Sequence, residues 1–310
     1  MQIYIKMNYR LIFVTIFLLS SMNEIPAQVS YSGLHSWYHP HSISMAGSGF
    51  GIVSVESDIK NPALLNEKKD SFDISILYYP VQINAGLVSV SKIFGNRTFS
   101  MSLRYMDYGL FSGFDEEGIS TGSYTSQESW VTVSMGERKI DRKFAWGATL
   151  GGFFTQLESY RSNVITITIG TLLYIDKMAA TVGLSMVNNG VVIRQFTNNN
   201  DHLPVTFVGS FTKKLKHLPL EISLDIGKEK GSPDWIRLGG IFTLNHRLQL
   251  RWGTSSDKLK HKTGLNMTED YLGSTGAGIS YGYNQFNFDL SGFFLGTGGW
   301  ISGFSLTVLL

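Results

Sequence analysis

The chain has 310 residues, no cysteine and a formal charge of +2 with histidine neutral. The missing thiol excludes disulfides, thiolate metal centres, a cysteine nucleophile and a lipidated N-terminal cysteine, and the balanced charge offers nucleic acid no footprint. Charged residues make up 16% of the chain, below the roughly 25% of soluble domains, while 33 glycines and 13% aromatics suit a chain with many lipid-facing side chains.

Lys6 and Arg10 precede an apolar run over 11–19, and Ile25-Pro26-Ala27 puts a small residue before Gln28. This pattern predicts a secretory signal over residues 1–27 and a mature chain starting at Gln28, with Met7 as an alternative start. The apolar run is shorter than the about 20 residues of a spanning helix, and later segments are interrupted by glycine or polar residues, so no transmembrane helix is expected. Residues 28–70 do not read as strands. They carry Ser42-Ile43-Ser44-Met45-Ala46-Gly47-Ser48-Gly49 and then Asp58-Ile59-Lys60-Asn61-Pro62-Ala63-Leu64-Leu65. Small residues permit close packing and Asn-Pro favours a turn, as a compact hatch in a barrel mouth would require. His35, His39 and His41 could bind a metal, but with no carboxylate nearby in sequence and Trp37 and Tyr38 beside them they read as polar surface on a flexible arm.

From Ser71 to Leu310, apolar residues alternate with small or polar ones. Ile165, Ile167, Ile169 and Leu173 share one face, opposite Thr166, Thr168 and Gly170. Fourteen strands are predicted, at 71–79, 82–92, 98–108, 126–136, 143–155, 161–175, 178–188, 203–213, 219–228, 234–244, 248–255, 274–283, 286–295 and 300–310. Connections after even strands are short. Those after odd strands include long stretches at 109–125, 189–202 and 256–273, with acidic Asp115, Glu116, Glu117, Asp201, Glu269 and Asp270. Short periplasmic turns and longer external loops are the asymmetry of an outer-membrane barrel. A soluble β-sandwich also alternates, but its outer face should be heavily charged, whereas the minor face here is mostly Gly, Ser, Thr and Ala. Trp130, Trp146, Trp235, Trp252 and Trp300 lie in or near strand ends, where an interfacial belt would place them. The expected fold is thus a 14-stranded antiparallel transmembrane barrel over 71–310.

Few residues suggest chemistry. Gly278-Ile279-Ser280-Tyr281-Gly282 has the spacing of a nucleophile elbow, but inside a strand it lacks the strand-to-helix turn that exposes the serine. Asp115-Glu116-Glu117 matches no EF-hand spacing. Alternation turns Arg104, Glu221, Asp225, Arg237, Arg251 and Asp289 inward, where charges of both signs are expected to pair across the lumen because an unpaired buried charge is costly. No catalytic residue, metal or cofactor is expected.

The motifs Ser44-Met45-Ala46-Gly47, Asp58 and Asn61-Pro62-Ala63-Leu64-Leu65 resemble those of the PorV/PorQ family of the type IX secretion system, within the wider FadL-like group of barrels with an N-terminal hatch. Leu103-Arg104-Tyr105-Met106-Asp107-Tyr108-Gly109, Leu157-Glu158-Ser159-Tyr160 and Lys216-His217-Leu218-Pro219-Leu220 look more like PorQ. The resemblance implies a non-enzymatic, integral outer-membrane component of protein export and surface attachment. Its N-terminus would be periplasmic or in the lumen, and its partners would be the PorU sortase, PorZ, the translocon or cargo. The hatch residues would be Ala46, Gly47, Asp58, Asn61, Pro62 and Ala63. The competing expectation is a FadL-type transporter of hydrophobic small molecules, which needs an apolar cavity and an exit. The inward charges favour the first.

Overall fold

In a computed structural model, residues 31–138, 143–196, 202–230, 232–259 and 267–310 are described. The signal region 1–27, Gln28 and Asp201 lie outside them. The chain forms a closed antiparallel barrel whose fourteen strands each pair with their sequence neighbours, β14 returning to β1. They are β1 (Ser71–Tyr78), β2 (Asn84–Phe94), β3 (Arg97–Phe114), β4 (Ser120–Arg138), β5 (Phe144–Leu157), β6 (Tyr160–Ile175) and β7 (Ala180–Arg194). The second half comprises β8 (Thr206–Lys214), β9 (Leu220–Glu229), β10 (Trp235–Thr243), β11 (Leu248–Ser255), β12 (Thr275–Tyr283), β13 (Phe286–Gly296) and β14 (Gly299–Leu309). Among the described residues three short α-helices accompany them: α1 (Pro40–Ser44), α2 (Ser57–Lys60) and α3 (Met267–Leu272).

Alternation sets the two faces. In β1 the inward Ser71, Asp73, Ser75 and Leu77 are buried, and Phe72, Ile74, Ile76 and Tyr78 face out. The same parity exposes Ile165, Ile167 and Ile169 of β6 and buries Thr166 and Thr168. An exterior of exposed Ile, Leu, Val and Phe around a closed sheet is the form a barrel takes in lipid.

Of the three expected long loops, one is mostly strand. Over 109–125, β3 and β4 run on as a hairpin that pairs only with itself beyond Asp107 on β3 and Thr125 on β4, leaving 115–119 as its tip. Stacking of Phe111 on Tyr124, with centroids 5.4 Å apart, supports the extension. Within 189–202, β7 continues to Arg194, and within 256–273 the described residues hold a 3-10 turn over Ser256–Leu259 and helix α3. The tryptophan belt is also corrected. Trp130 and Trp235 are buried and inward, while Trp252 and Trp300 are exposed.

Residues 31–70 fill the lumen. From Tyr38 to Leu65 every residue except Val53 is buried. His39 caps α1, its Nδ1 accepting from the backbone N–H of His41 at 3.1 Å, and Pro40 sits where a missing N–H does no harm. Asn61 caps the next turn in the same way, with Pro62 following it. In both caps a side-chain acceptor two residues before the bonded N–H meets it, with proline filling the first helical position. The barrel wall accommodates this segment with glycine: a Cβ on Gly147 would collide with the Pro62 carbonyl, and one on Gly253 with the Met45 backbone. The small residues of the minor face are therefore required by close packing.

Candidate functional site: the packed lumen

Asp58 at the start of α2 is fully buried, and so is Arg104 of β3. Arg104 Nη2 donates to both Asp58 oxygens, at 2.6 and 2.7 Å, while Thr132 Oγ1 donates to Oδ2 at 2.9 Å and Thr149 Oγ1 to the Asp58 carbonyl at 2.5 Å. Trp130 covers the guanidinium, 5.3 Å from carbon to ring centroid. Burial acts to raise the Asp58 carboxyl, but Arg104 and the hydroxyl of Thr132 outweigh it and hold it below the usual carboxylate range.

The six inward charges all face the lumen, but they do not form one network. Arg251 and Asp289 bond directly, and Ser305 Oγ donates to Asp289 at 3.0 Å. Asp225 accepts from the Gly49 N–H at 2.7 Å and from Ser223 Oγ at 3.1 Å. Glu221 lies at the end of the barrel where β1 begins and β14 ends, 3.8 Å from Lys214. Arg237 stacks on Trp235, 4.0 Å from its centroid. Arg104, through Asp58, and Asp225, through the Gly49 N–H, engage the inner segment, whereas Arg251 pairs with Asp289 and Glu221 with Lys214 along the wall, because the inner segment keeps opposite walls apart.

Of the expected hatch residues, Asn61 Nδ2 reaches the Thr171 carbonyl at 3.3 Å, and Pro62 and Ala63 press on Gly147. Ala46 and Gly47 turn the chain with φ of 50° and 76°, and a Cβ on Gly47 would meet Trp37 and Arg237. Sequence reasoning missed Glu56, Lys60 and Lys68. Glu56 accepts from the Tyr38 N–H at 2.9 Å, Lys60 donates to the Ser48 carbonyl at 2.9 Å, and Lys68 lies 3.4 Å from Asp73. Burial lifts the Glu56 carboxyl and drops the Lys60 ammonium to about 8. The alternation that marked the wall charges has no counterpart in a segment of short turns, so these three carried no periodic signal.

The histidines correct another expectation. His39 and His41 are buried under the wall, not displayed on an arm, and burial with nearby Arg251 pushes both well below the usual imidazole range. His35 stands 3.4 Å from Glu229. Among the described residues no group of three or more acidic or histidine side chains is placed to hold a metal. Ser280 lies within β12 at the edge of a 220 Å³ cavity at the end of the barrel where β1 begins, with no turn to expose it.

Around the segment lie cavities with charged walls. One of 130 Å³ is bounded by Trp37, Phe50 and Trp235 but also by Glu56, Lys60, Glu229 and Arg237. It adjoins a break in the wall. Pairing of β7 with β8 stops at Val187 and Thr206, next to a bulge where Asn188 has φ 57°, although β7 continues along β6 to Arg194.

Two solved structures share the architecture. The toluene transporter TbuX of Ralstonia pickettii superposes with a TM-score of 0.57 at 12% identity, over 87% of this chain and 97% of its own. The toluene transporter TodX of Pseudomonas putida gives 0.59 at 11%, over 88% and 98%. The likeness is one of fold, a closed antiparallel barrel shared with two transporters. No family model matches the chain, and no curated protein does. The PorV/PorQ resemblance rests on its short motifs alone.

Proposed function

We propose that this chain is an integral outer-membrane barrel held shut from within, whose work is done at its external rim as a docking component of protein export and surface attachment. The observation that carries this reading is the buried Asp58–Arg104 pair, which bolts the inner segment to the wall with both charges removed from water. Such a pair is costly to break, so it suits a permanent closure better than a moving plug. The free surface then lies outside, above all in the β3–β4 hairpin beyond Asp107, and recognition commonly resides on such projections. The PorV/PorQ resemblance names the PorU sortase, PorZ, translocon and cargo as partners to test. Affinity capture from detergent-solubilised outer membrane should recover surface-attachment proteins, and shortening residues 110–124 should reduce the yield without opening a conductance. Recovery unaffected by that deletion would overturn the rim as the docking site.

A second reading, transport of a hydrophobic small molecule, is the one toward which the fold comparisons lean, since TbuX and TodX are toluene transporters. The parting of β7 from β8 beside the aromatic-walled 130 Å³ cavity favours it. The charges lining that cavity weigh against it, because an apolar ligand would strip water from them without replacing it. Saturable toluene uptake by proteoliposomes, lost in Trp235→Ala, would establish this reading over the first.

A further inference from the structure

We propose that a groove on the outer wall, near the external ends of β3 to β7, binds the phosphate of an outer-leaflet lipid. The inference rests on the membrane placement above and on neither functional reading. Arg161 and Asn163 of β6 and Arg194 of β7 stand on the outward face, with Arg194 opposite Asn163 in the ladder, and Gln127 of β4 completes a groove of 490 Å³. Both arginines are exposed, and among the described residues neither has a carboxylate within ion-pair distance. Asp107, near the β3 edge, is engaged by the Gly109 N–H at 3.0 Å, and Tyr105 donates to Gln127 Oε1 at 2.7 Å. What the groove offers is therefore mainly donors: two guanidinium forks and side-chain amides. Forks of this kind match a phosphate better than any neutral headgroup.

Position selects a lipid over a free ion. Directly below Arg161 and Asn163 the same face of β6 continues as Ile165, Ile167 and Ile169, and Phe154 of β5 forms the groove floor with 48% of its surface exposed. An acyl chain would lie along that apolar stripe while its headgroup met the arginines. Outward cations are tolerated near the interface but not at the midplane, which sets the groove at headgroup height. The external side is fixed by strand parity, because both barrel ends, Ser71 and Leu309, meet on the opposite side.

The test is native mass spectrometry of the purified full-length barrel with diphosphorylated lipid A, its dephosphorylated form and inorganic phosphate. Wild type should retain the diphosphorylated lipid and discriminate against the dephosphorylated one. Arg161→Gln and Arg194→Gln should each weaken retention about tenfold, as expected for loss of a charge-assisted contact, and the double lysine variant should retain an intermediate share. Heat-modifiable migration confirms that each variant is folded, and if the glutamine variants fail to fold, the lysine variant against the dephosphorylated lipid still decides. Equal retention by the double glutamine variant would overturn the proposal, and so would displacement of the lipid by millimolar phosphate, which would make this a free-anion site. Membrane fractionation separates the premises: a wild type absent from the outer membrane sinks the placement, whereas one correctly inserted without phosphate preference sinks the groove alone.

Discussion

Asp58 shows how far single residues could be read. Alternation turned Arg104 inward and electrostatics demanded a partner, but parity says nothing about what lies across a lumen, and the partner proved to be Asp58, expected in the hatch but not as a counter-charge. Asp58→Asn leaves the guanidinium buried without its counter-charge and should cost about 3 to 5 kcal/mol, read as a lower urea midpoint for the folded barrel. Asp58→Asn with Arg104→Met should recover part of that loss, since both charges then go. The histidines set a pH dependence. His39 and His41 are held neutral below their ordinary range, whereas an undocked segment takes up protons at about 6.5. Their contribution is complete above that value and is lost as the pH falls through it. Glu56, raised by burial, acts in the opposite sense. Stability between pH 7.5 and 5 should therefore fall more steeply in wild type than in a His39→Asn/His41→Asn variant; identical slopes would remove the histidines from the account.

At the scale of strands, the two-residue period was legible because one face must be apolar, and all fourteen strands lie close to their expected places. Loop boundaries were less legible. The polar, glycine-containing stretch 109–125 looks like a loop, but cross-strand pairs such as Phe111 and Tyr124 hold it as a ladder, and pairing partners are invisible to local composition. Thr168 is no free lumen position: its Oγ1 accepts from the Asn188 N–H at 3.3 Å inside packed surroundings. The sharper contrast is along the outer face. Ile167→Arg, in the lipid-facing band, should cost up to about 2 to 4 kcal/mol in folding experiments, while Leu110→Arg, on the free hairpin and 72% exposed, should be near neutral. Comparable losses at both would place the hairpin in lipid.

For the molecule as a whole, strand parity predicts sidedness. A cysteine at Gly118 should react with an impermeant thiol reagent on intact cells, and one at Lys177 should react only after the outer membrane is breached; the opposite pattern would invert the barrel. Removal of residues 31–69 should convert a silent protein into an ion-conducting one in planar bilayers, because the remaining wall is lined by Ser, Thr, Gly and charged residues. The closed barrel was legible from period, turn asymmetry and composition, whereas the filling of its interior was only hinted at by small residues. The Gly147 and Gly253 contacts bear on how such an object is closed. Residues near Met45 and Pro62 precede every strand in the chain, yet the wall around them closes only when β14, the last element, reaches β1, and the Leu310 N–H bonds the Asp70 carbonyl at the point where the inner segment gives way to sheet. The segment is thus sealed in by the pairing of the last strand with the first, so that the wall leaves it enclosed wherever glycine lets the two backbones touch.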